Sequence, residues 1–243
     1  MLRTRIRHFV ENLSGLHIFR VPPRGTDFFY DLERHIPDLH INTVFDVGAN
    51  VGQSTIRFLK AFPDAKIRAF EPVSRNYAQL RQAVGNNVRV ITYNMGLGAE
   101  AGTAKMSLDG GPAMSRIVAD EDSTPRENVE EVEITRLDSF CARDRVDHID
   151  FLKIDTEGHD LEVLKGAAGL LERSAIDLIR VEAGINQHNS WHVPLEEFVS
   201  FLRSYGYDLF AFTEQHPRYG EGTPFLYRAD AVFLSARWGA KPA

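Results

Sequence analysis

The strongest constraint on the fold of this chain is an apolar run that leads directly into a glycine-containing turn. Val44, Phe45 and Val47 favour a buried β-strand, and Gly48 and Gly52 lie in the turn that follows. Glycine lets the backbone approach a ligand that a side chain would block. Apolar residues with helical spacing come next. The pattern therefore predicts a strand, a turn and a helix whose N-terminus offers free N–H groups to a ligand.

The residue types in this turn argue against a ligand with phosphate groups. A dinucleotide site would show the pattern G-x-G-x-x-G, and a phosphate loop would end in Gly-Lys-Ser/Thr. This chain has Asp-x-Gly-x-Asn-x-Gly, with Asp46 at the strand end and Asn50 in the middle position. Asp46 would repel a pyrophosphate, but it suits a ligand that carries an ammonium or sulfonium charge.

A second predicted strand, residues 65–70, ends in Glu71 and Pro72. A carboxylate at the tip of this strand is well placed to accept hydrogen bonds from both hydroxyls of a ribose. Together, the two strand ends indicate a nucleoside with an amino-acid tail and no phosphates, which describes S-adenosylmethionine (SAM).

Strands and helices alternate along most of the chain, and this pattern predicts an α/β fold. The predicted strands lie near residues 43–47, 65–70, 87–93, 148–154, 176–182, 207–213 and 229–234. Such alternation is typical of a mostly parallel seven-stranded sheet with helices on both faces. Residues 41–238 are predicted to form this domain, and residues 1–40 to form N-terminal accessory helices. The glycine-, proline- and charge-rich residues 110–130 are predicted to form a mobile loop over the site.

In open α/β sheets, ligands bind beyond the carboxyl ends of the strands. Acidic and amide side chains at predicted strand ends are therefore the expected functional residues, and these are Asp46, Glu71, Asn94, Asp155 and Glu182. Asn94 and Gly96 follow the third strand, where a contact to the adenine edge is expected. An ordinary turn is the alternative for these two residues.

Three segments in the same order resemble the FkbM family of SAM-dependent methyltransferases. They are Asp46–Gly52, Glu71-Pro72 and Lys153-Ile-Asp-Thr-Glu-Gly158, and the resemblance covers roughly residues 43–182. It implies a Rossmann-like class I methyltransferase fold and O-methylation of a sugar or natural-product hydroxyl. SAM is then expected to contact Asp46, Gly48, Asn50, Gly52, Glu71, Pro72, Asn94, Gly96 and Asp155.

A hydroxyl acceptor is a weak nucleophile, so it needs a base or a metal ion to take its proton. Asp155 lies at a predicted strand tip, and Glu157 begins the turn that follows. These carboxylates could take a proton, contact the SAM ammonium or bind a hard divalent ion such as Mg²⁺. Lys153 shares the strand face of Asp155 and would tune both carboxylates. Helix capping is the alternative role for Asp155 and Glu157.

Glu182 supplies a third carboxylate at the end of the fifth predicted strand. It could orient the acceptor or complete a metal site with Asp155, and pairing with Arg180 is the alternative. His188 and His192 flank a short loop segment, and either could be a general base because histidine titrates near neutral pH. The favoured alternative for each is a polar loop residue. The catalytic candidates are Asp155, Glu157, Glu182 and His188, and the metal candidates are Asp155 and Glu182.

Composition narrows the range of partners and compartments. The net charge of −6 argues against a nucleic-acid partner, so a small-molecule or glycan acceptor is expected. The single cysteine, Cys141, cannot form an internal disulfide, which fits a reducing, cytoplasmic compartment.

The N-terminal residues 1–20 combine four arginines with apolar residues. They could form a basic helix that contacts a membrane surface or an acidic partner. The favoured alternative is an accessory helix that packs on the domain or on a second subunit of a homo-oligomer.

Three functions stay open from the sequence. The first is SAM-dependent O-methylation of a sugar hydroxyl on a glycolipid, an oligosaccharide or a glycosylated natural product. The second is methylation of a non-sugar natural-product hydroxyl or an amine, and the third is nucleotide binding without catalysis.

Overall fold

The computed structural model describes residues 13–15, 19, 21–108, 116–118, 129–217 and 224–239 of the chain. Most of the predicted loop over residues 110–130, and most of the basic segment 1–20, lie outside the described residues. The predictions made for these two segments therefore stay predictions.

Eleven strands and seven α-helices follow one another in the described part of the chain. In chain order they are α1 (Phe28–His35), β1 (Thr43–Val47), α2 (Gln53–Ala61), β2 (Lys66–Phe70), α3 (Ser74–Val84), β3 (Val90–Tyr93), β4 (Gly96–Leu97), β5 (Gly102–Ser107), β6 (Arg116–Val118), β7 (Val129–Thr135), α4 (Leu137–Asp144), β8 (Ile149–Ile154), α5 (Asp160–Lys165), α6 (Ala168–Glu172), β9 (Ile176–Gly184), α7 (Leu195–Arg203), β10 (Tyr207–Pro217) and β11 (Leu226–Ser235).

The main sheet has seven strands in the order β10-β11-β9-β8-β1-β2-β3. Strands β9, β8, β1, β2 and β3 pair in parallel, and β11 runs antiparallel to both β9 and β10. The predicted mostly parallel seven-stranded sheet is therefore confirmed. Because β1 lies at the centre of the five parallel strands, the glycine turn emerges in the middle of their carboxyl edge.

Helices cover both faces of this sheet, as the α/β prediction requires. On one face, Phe28 of α1 and Phe58 of α2 pack against Phe151 of β8. On the other face, Phe140 of α4 and Phe198 of α7 belong to the larger apolar core. The central strands are rich in Val, Ile, Leu and Phe, and for this reason they could be placed from sequence although each of β1, β2, β8 and β9 also carries charged residues.

A second, smaller sheet with the order β4-β7-β5-β6 lies beside the carboxyl edge. The residue pattern predicts short extended segments at residues 102–109 and 131–135 but does not predict that they pair into a separate sheet. Met106 of β5 and Ile134 of β7 are buried in an apolar cluster with Val73. This sheet therefore closes one side of the space beyond β1 and β2.

Among the described residues, every helix is too short or too polar to cross a bilayer.

Candidate active site

A cleft of about 670 Å³ opens at the carboxyl ends of β1, β2 and β8, and we call it the strand-end cleft. It is lined by Val47, Gly48, Asn50, Phe70, Glu71, Pro72, Asn76, Gly96, Leu97, Met106, Ile134, Asp155, Thr156, Glu157 and His159. The cleft lies where ligands of open α/β sheets bind, beyond the carboxyl ends of the strands.

Gly48 brings the turn after β1 close to the end of β8. Its φ angle is +72°, and a Cβ atom built on it would lie 1.9 Å from the backbone oxygen of Asp155. Both its left-handed conformation and this contact exclude a larger residue. Gly48 is therefore required by the shape of the cleft floor.

Glu71 is the most completely organised carboxylate of the cleft. Its Oε2 accepts a hydrogen bond of 2.9 Å from the N–H of Asn50, and its Oε1 accepts one of 2.9 Å from the N–H of Val73. Burial raises the pKa of Glu71 to about 7, although these two N–H groups and the Lys153 charge oppose that shift. The side chain of Asn76 also donates a hydrogen bond to this carboxylate, and the acceptor capacity that remains is available to a ligand hydroxyl.

Asn50 contributes a further acceptor to the cleft lining. Its φ angle of +49° turns it into the left-handed region, and its Oδ1 is buried without a hydrogen-bond partner among the described residues. Buried polar atoms in native proteins are almost always paired, so this oxygen indicates a donor supplied by a ligand.

Asp46 occupies a different place from the one predicted. Its place at the strand end predicts that it faces the ligand charge, but it is fully buried beneath the cleft and is absent from the cleft lining. Its Oδ2 accepts a hydrogen bond of 2.6 Å from Thr55, and its Oδ1 lies 3.1 Å from Nζ of Lys153. Since β1 and β8 pair Asp46 with Lys153 in register, the carboxylate neutralises a buried ammonium group.

Lys153 joins this buried pair to the cleft surface. Its Nζ donates a hydrogen bond of 2.9 Å to the carbonyl oxygen of Gly48 and lies 3.4 Å from Oδ2 of Asp155. Burial lowers the pKa of Lys153, but the carboxylates of Asp46 and Asp155 outweigh that effect and raise it overall. The charged lysine thus holds the turn after β1 and the end of β8 in one arrangement.

The remaining predicted cofactor contacts divide into two groups. Pro72 and Gly96 line the cleft, whereas Gly52 and Asn94 do not. Gly52 is the N-cap of α2 and lies against Leu80 of α3. The side-chain amide of Asn94 donates hydrogen bonds to the carbonyl oxygens of Glu71 and Pro72, so it shapes the turn and leaves the adenine edge to other residues.

Asp155 and Glu157 both face the cleft at the end of β8. The side chain of Asp155 is 41% exposed. Glu157 has a left-handed φ angle of +54°, and its Oε2 accepts a hydrogen bond of 2.5 Å from the indole N–H of Trp191. Burial raises the pKa of Glu157, although the Trp191 hydrogen bond opposes the shift. No side chain caps the N-terminus of α5, so capping is not what these carboxylates do.

Glu182 lies deeper than predicted and is already paired. It is 8% exposed, it forms an ion pair with Arg228, and its Oε2 lies 2.7 Å from Nε2 of His192. The other ring nitrogen of His192 lies 3.0 Å from the amide nitrogen of Asn189. Both oxygens of Glu182 are thus engaged, and it is better suited to supporting its neighbours than to taking a proton.

The histidine nearest to the carboxylates is His192, and the prediction of His188 needs correction. His188 is exposed in the loop after β9 and does not line the strand-end cleft. The loop folds so that the ring of His192 points at Glu182 instead, and burial lowers the pKa of His192.

The predicted metal pair, Asp155 and Glu182, is not brought together. Glu157, Glu182 and His192 instead place one ligand atom each within 4.8 Å of one another. Two of these atoms are already hydrogen bonded to each other, Arg228 pairs with Glu182, and Trp191 occupies Oε2 of Glu157. Such a set does not fit a divalent cation, because a hard ion needs several unshared oxygen ligands.

Comparison with known proteins adds a family and a fold. Residues 46–209 match the family described as the Methyltransferase FkbM domain. The chain is 25% identical over 242 residues to the 2-O-methyltransferase NoeI of Sinorhizobium fredii, covering 93% of this chain and 92% of that protein. It is 31% identical over 176 residues to Methyltransferase sdnD of Sordaria araneosa, covering 58% of this chain and 65% of that protein.

Among solved structures, the METTL16 MTase domain (crystal form 2) has a similar fold. Its TM-score is 0.50 at 12% sequence identity, and the match covers 96% of this chain and 78% of that one. This likeness concerns the fold alone, and it agrees with the Rossmann-like α/β architecture.

Proposed function

The chain belongs to the FkbM methyltransferase family, and on that premise we propose that it transfers a methyl group from SAM to a hydroxyl of a sugar. Membership makes it a SAM-dependent methyltransferase, which leaves the non-catalytic alternative without support. The sugar acceptor is the proposal. Glycolipids, oligosaccharides and glycosylated natural products all present such a hydroxyl.

The strand-end cleft has the features that a nucleoside with an amino-acid tail requires. Glu71 offers two carboxylate oxygens to the ribose hydroxyls, and Asn50 offers its buried Oδ1. Leu97, Met106 and Ile134 supply an apolar wall for the adenine. Gly48 allows the backbone to approach the tail, and the exposed carboxylate of Asp155 can pair with an ammonium group. When bound, SAM supplies a methyl group activated by its sulfonium charge.

We expect the affinity for SAM to rise about tenfold between about pH 6 and pH 8. Burial raises the pKa of Glu71 to about 7, so below neutrality its carboxyl is neutral and a poorer acceptor for hydroxyl groups. Isothermal titration of the wild-type protein across this range measures the effect. Glu71→Gln should bind more weakly at every pH and should lose the pH dependence, and an unchanged slope in this variant would exclude Glu71 as its origin.

The observation that carries the proposed reaction is the placement of Glu157 at the edge of the strand-end cleft. Its Oε2 is held by Trp191 at 2.5 Å, and among the described residues no hydrogen bond occupies its Oε1, which is left to accept a proton. Burial raises its pKa toward the pH of the cell, where a carboxylate acts best as a general base. Glu157 would take the proton of the acceptor hydroxyl, and the rigid cleft floor would hold the donor and acceptor in line.

Two observations favour an uncharged hydroxyl acceptor of the sugar type. Glu71, Asp155 and Glu157 line the cleft, and no lysine or arginine is among its described lining residues, so an anionic acceptor would be repelled. Trp191 places an aromatic ring beside Glu157, and this combination suits a molecule with an apolar face and several hydroxyls. The name of the similar protein NoeI, a 2-O-methyltransferase, also supports an oxygen acceptor.

Turnover is expected to be independent of divalent cations. The clustered ligand atoms of Glu157, Glu182 and His192 near the cleft are already occupied by Arg228, Trp191 and the Glu182–His192 hydrogen bond. Adding excess EDTA to a transfer assay should change kcat less than twofold. A loss of activity that Mg²⁺ restores would contradict this expectation and would support the metal role first considered for Asp155 and Glu182.

A transfer screen with methyl-labelled SAM tests the sugar acceptor directly. The full chain is incubated with neutral oligosaccharides, glycolipids, aglycone alcohols and amines, and the labelled product is identified by mass spectrometry. Label on a sugar oxygen supports the proposal. Label confined to the amines or to the aglycone alcohols would overturn it.

A further inference from the structure

The loop between β9 and α7 contacts the turn after β8, which contains Glu157 and Gly158, through both its backbone and a side chain. The Trp191 indole N–H donates to Oε2 of Glu157 at 2.5 Å. A Cβ atom built on Gly158 would lie 2.5 Å from the carbonyl oxygen of Trp191. The turn and the loop are therefore in direct contact, and Trp191 carries both interactions.

Asn189 holds this loop in one conformation. Its Oδ1 accepts hydrogen bonds of 3.0 Å from the N–H groups of both Trp191 and His192. Its Nδ2 donates a hydrogen bond of 2.9 Å to the carbonyl oxygen of Tyr227, at the start of β11. Since Asn189 is only 7% exposed, these bonds are shielded from water and the position of Trp191 is well defined.

The conformation of Glu157 requires support from outside its own turn. Glu157 and Gly158 have left-handed φ angles of +54° and +96°, and for a glutamate this conformation costs energy. Residues held in such conformations persist where their surroundings hold them, and they are common at active sites. Trp191 provides the contact that holds the carboxylate.

We infer that Trp191 is a positioning residue for the general base, which fixes one oxygen of Glu157 and leaves the other to accept the proton of the acceptor hydroxyl. This inference rests on the proposed function. In the reaction, the acceptor oxygen bonds to the methyl carbon as the bond from that carbon to sulfur breaks. The hydroxyl proton passes to the free oxygen of Glu157, and solvent removes it after the product leaves.

Besides the hydrogen bond from the indole group, three titratable or charged side chains act on Glu157. The carboxylate of Asp155 raises its pKa, whereas His192 and Arg228 lower it, and burial is the largest influence. The hydrogen bond from Trp191 stabilises the ionised form. Loss of that bond should therefore raise the pKa of Glu157 and also free the carboxylate to rotate.

Trp191→Phe tests the positioning role in the full-length enzyme. We expect kcat at pH 7 to fall about tenfold or more, and the acidic limb of its pH profile to move up by about one unit. The dissociation constant for SAM should stay within twofold. Trp238→Phe is the matched control, because Trp238 donates its indole N–H to Asp177 at 2.8 Å, outside the strand-end cleft. A Trp191→Phe profile that overlays the wild-type profile would overturn the inference.

A second measurement does not depend on the acceptor. The chain has two tryptophans, so a spectrum of ¹⁵N-labelled indoles contains two N–H resonances. The Trp191 resonance should titrate with Glu157, and Glu157→Gln should abolish that titration while leaving the Trp238 resonance in place. If the Trp191 resonance still titrated in Glu157→Gln as in the wild type, the contact between Trp191 and Glu157 would be disproved. An enzyme that passes this test yet methylates no hydroxyl would instead disprove the proposed function.

Discussion

Replacing Gly48 with alanine is expected to lower the affinity for SAM by about 100-fold or more. The new Cβ atom would lie 1.9 Å from the backbone oxygen of Asp155, so the turn after β1 or the end of β8 has to move. Because Lys153 donates a hydrogen bond to the Gly48 carbonyl, the displacement also disturbs the buried Lys153–Asp46 pair. Shifts of about 1 Å at such positions cost roughly 100-fold in activity.

The stability of the ligand-free protein should fall as well. A left-handed conformation costs a residue with a Cβ about 1–2 kcal/mol, and the steric contact adds roughly 1–3 kcal/mol. Thermal denaturation of Gly48→Ala reports this loss, and isothermal titration with SAM below the melting temperature reports the affinity.

Gly206→Ala separates the cost of the left-handed conformation from the cost of the steric contact. Gly206 has nearly the same φ angle as Gly48, +76° against +72°, but no atom lies within 4 Å of the Cβ position. This control should lose only the conformational part of the stability, and its affinity for SAM should match the wild type. Equal losses of affinity in both variants would show that the close approach of Gly48 to Asp155 is not what the cleft requires.

The part of the fold that could be predicted from sequence is the part built from long, uniform elements. Every residue of β9 is buried, and its apolar residues Ile176, Leu178, Ile179 and Val181 mark it as a strand in the sequence. Helix α2 (Gln53–Ala61) follows the glycine turn, as the helical spacing of its apolar residues predicts. The second sheet could not be predicted, because β4 has only two residues and its partner β7 lies more than 30 residues further along the chain.

The rule that ligands bind beyond the carboxyl ends of the strands predicts the region of the site but not the direction of every side chain. Glu71 and Asp155 line the cleft as expected, whereas Asp46 faces Lys153, because the register of β1 and β8 places those two residues side by side. That register is a property of the folded sheet. The only sequence signal for it is a buried lysine on a strand, which requires a carboxylate nearby.

The loop after β9 shows a second limit of sequence analysis. His188 and His192 look alike in the sequence, and only the hydrogen bonds of Asn189 decide that His192 turns inward. Likewise, Met106 and Ile134 reach the cleft through a sheet that periodicity does not reveal. Residues on irregular segments depend on contacts between distant parts of the chain, and no local pattern encodes them.

Glu157→Gln is expected to lower kcat by about 100-fold to 10,000-fold, the range that loss of a general base produces. Glutamine has almost the same shape and can still accept the hydrogen bond from Trp191, but it cannot take a proton from the acceptor. Steady-state kinetics with SAM at saturation measure the effect, and the residual activity should lack the acidic limb of the wild-type pH profile.

Glu162→Gln is the matched control for this variant. It makes the same chemical change on α5, where the carboxylate is 37% exposed and pairs with Lys165, so kcat should stay within twofold of the wild type. The dissociation constant for SAM distinguishes a general base from a carboxylate that binds the SAM ammonium. A base that touches only the acceptor leaves that constant unchanged, whereas a carboxylate that binds the SAM ammonium weakens it by at least tenfold when neutralised. A normal kcat in Glu157→Gln would exclude the carboxylate as the base, and the exposed Asp155 would then be the next residue to test.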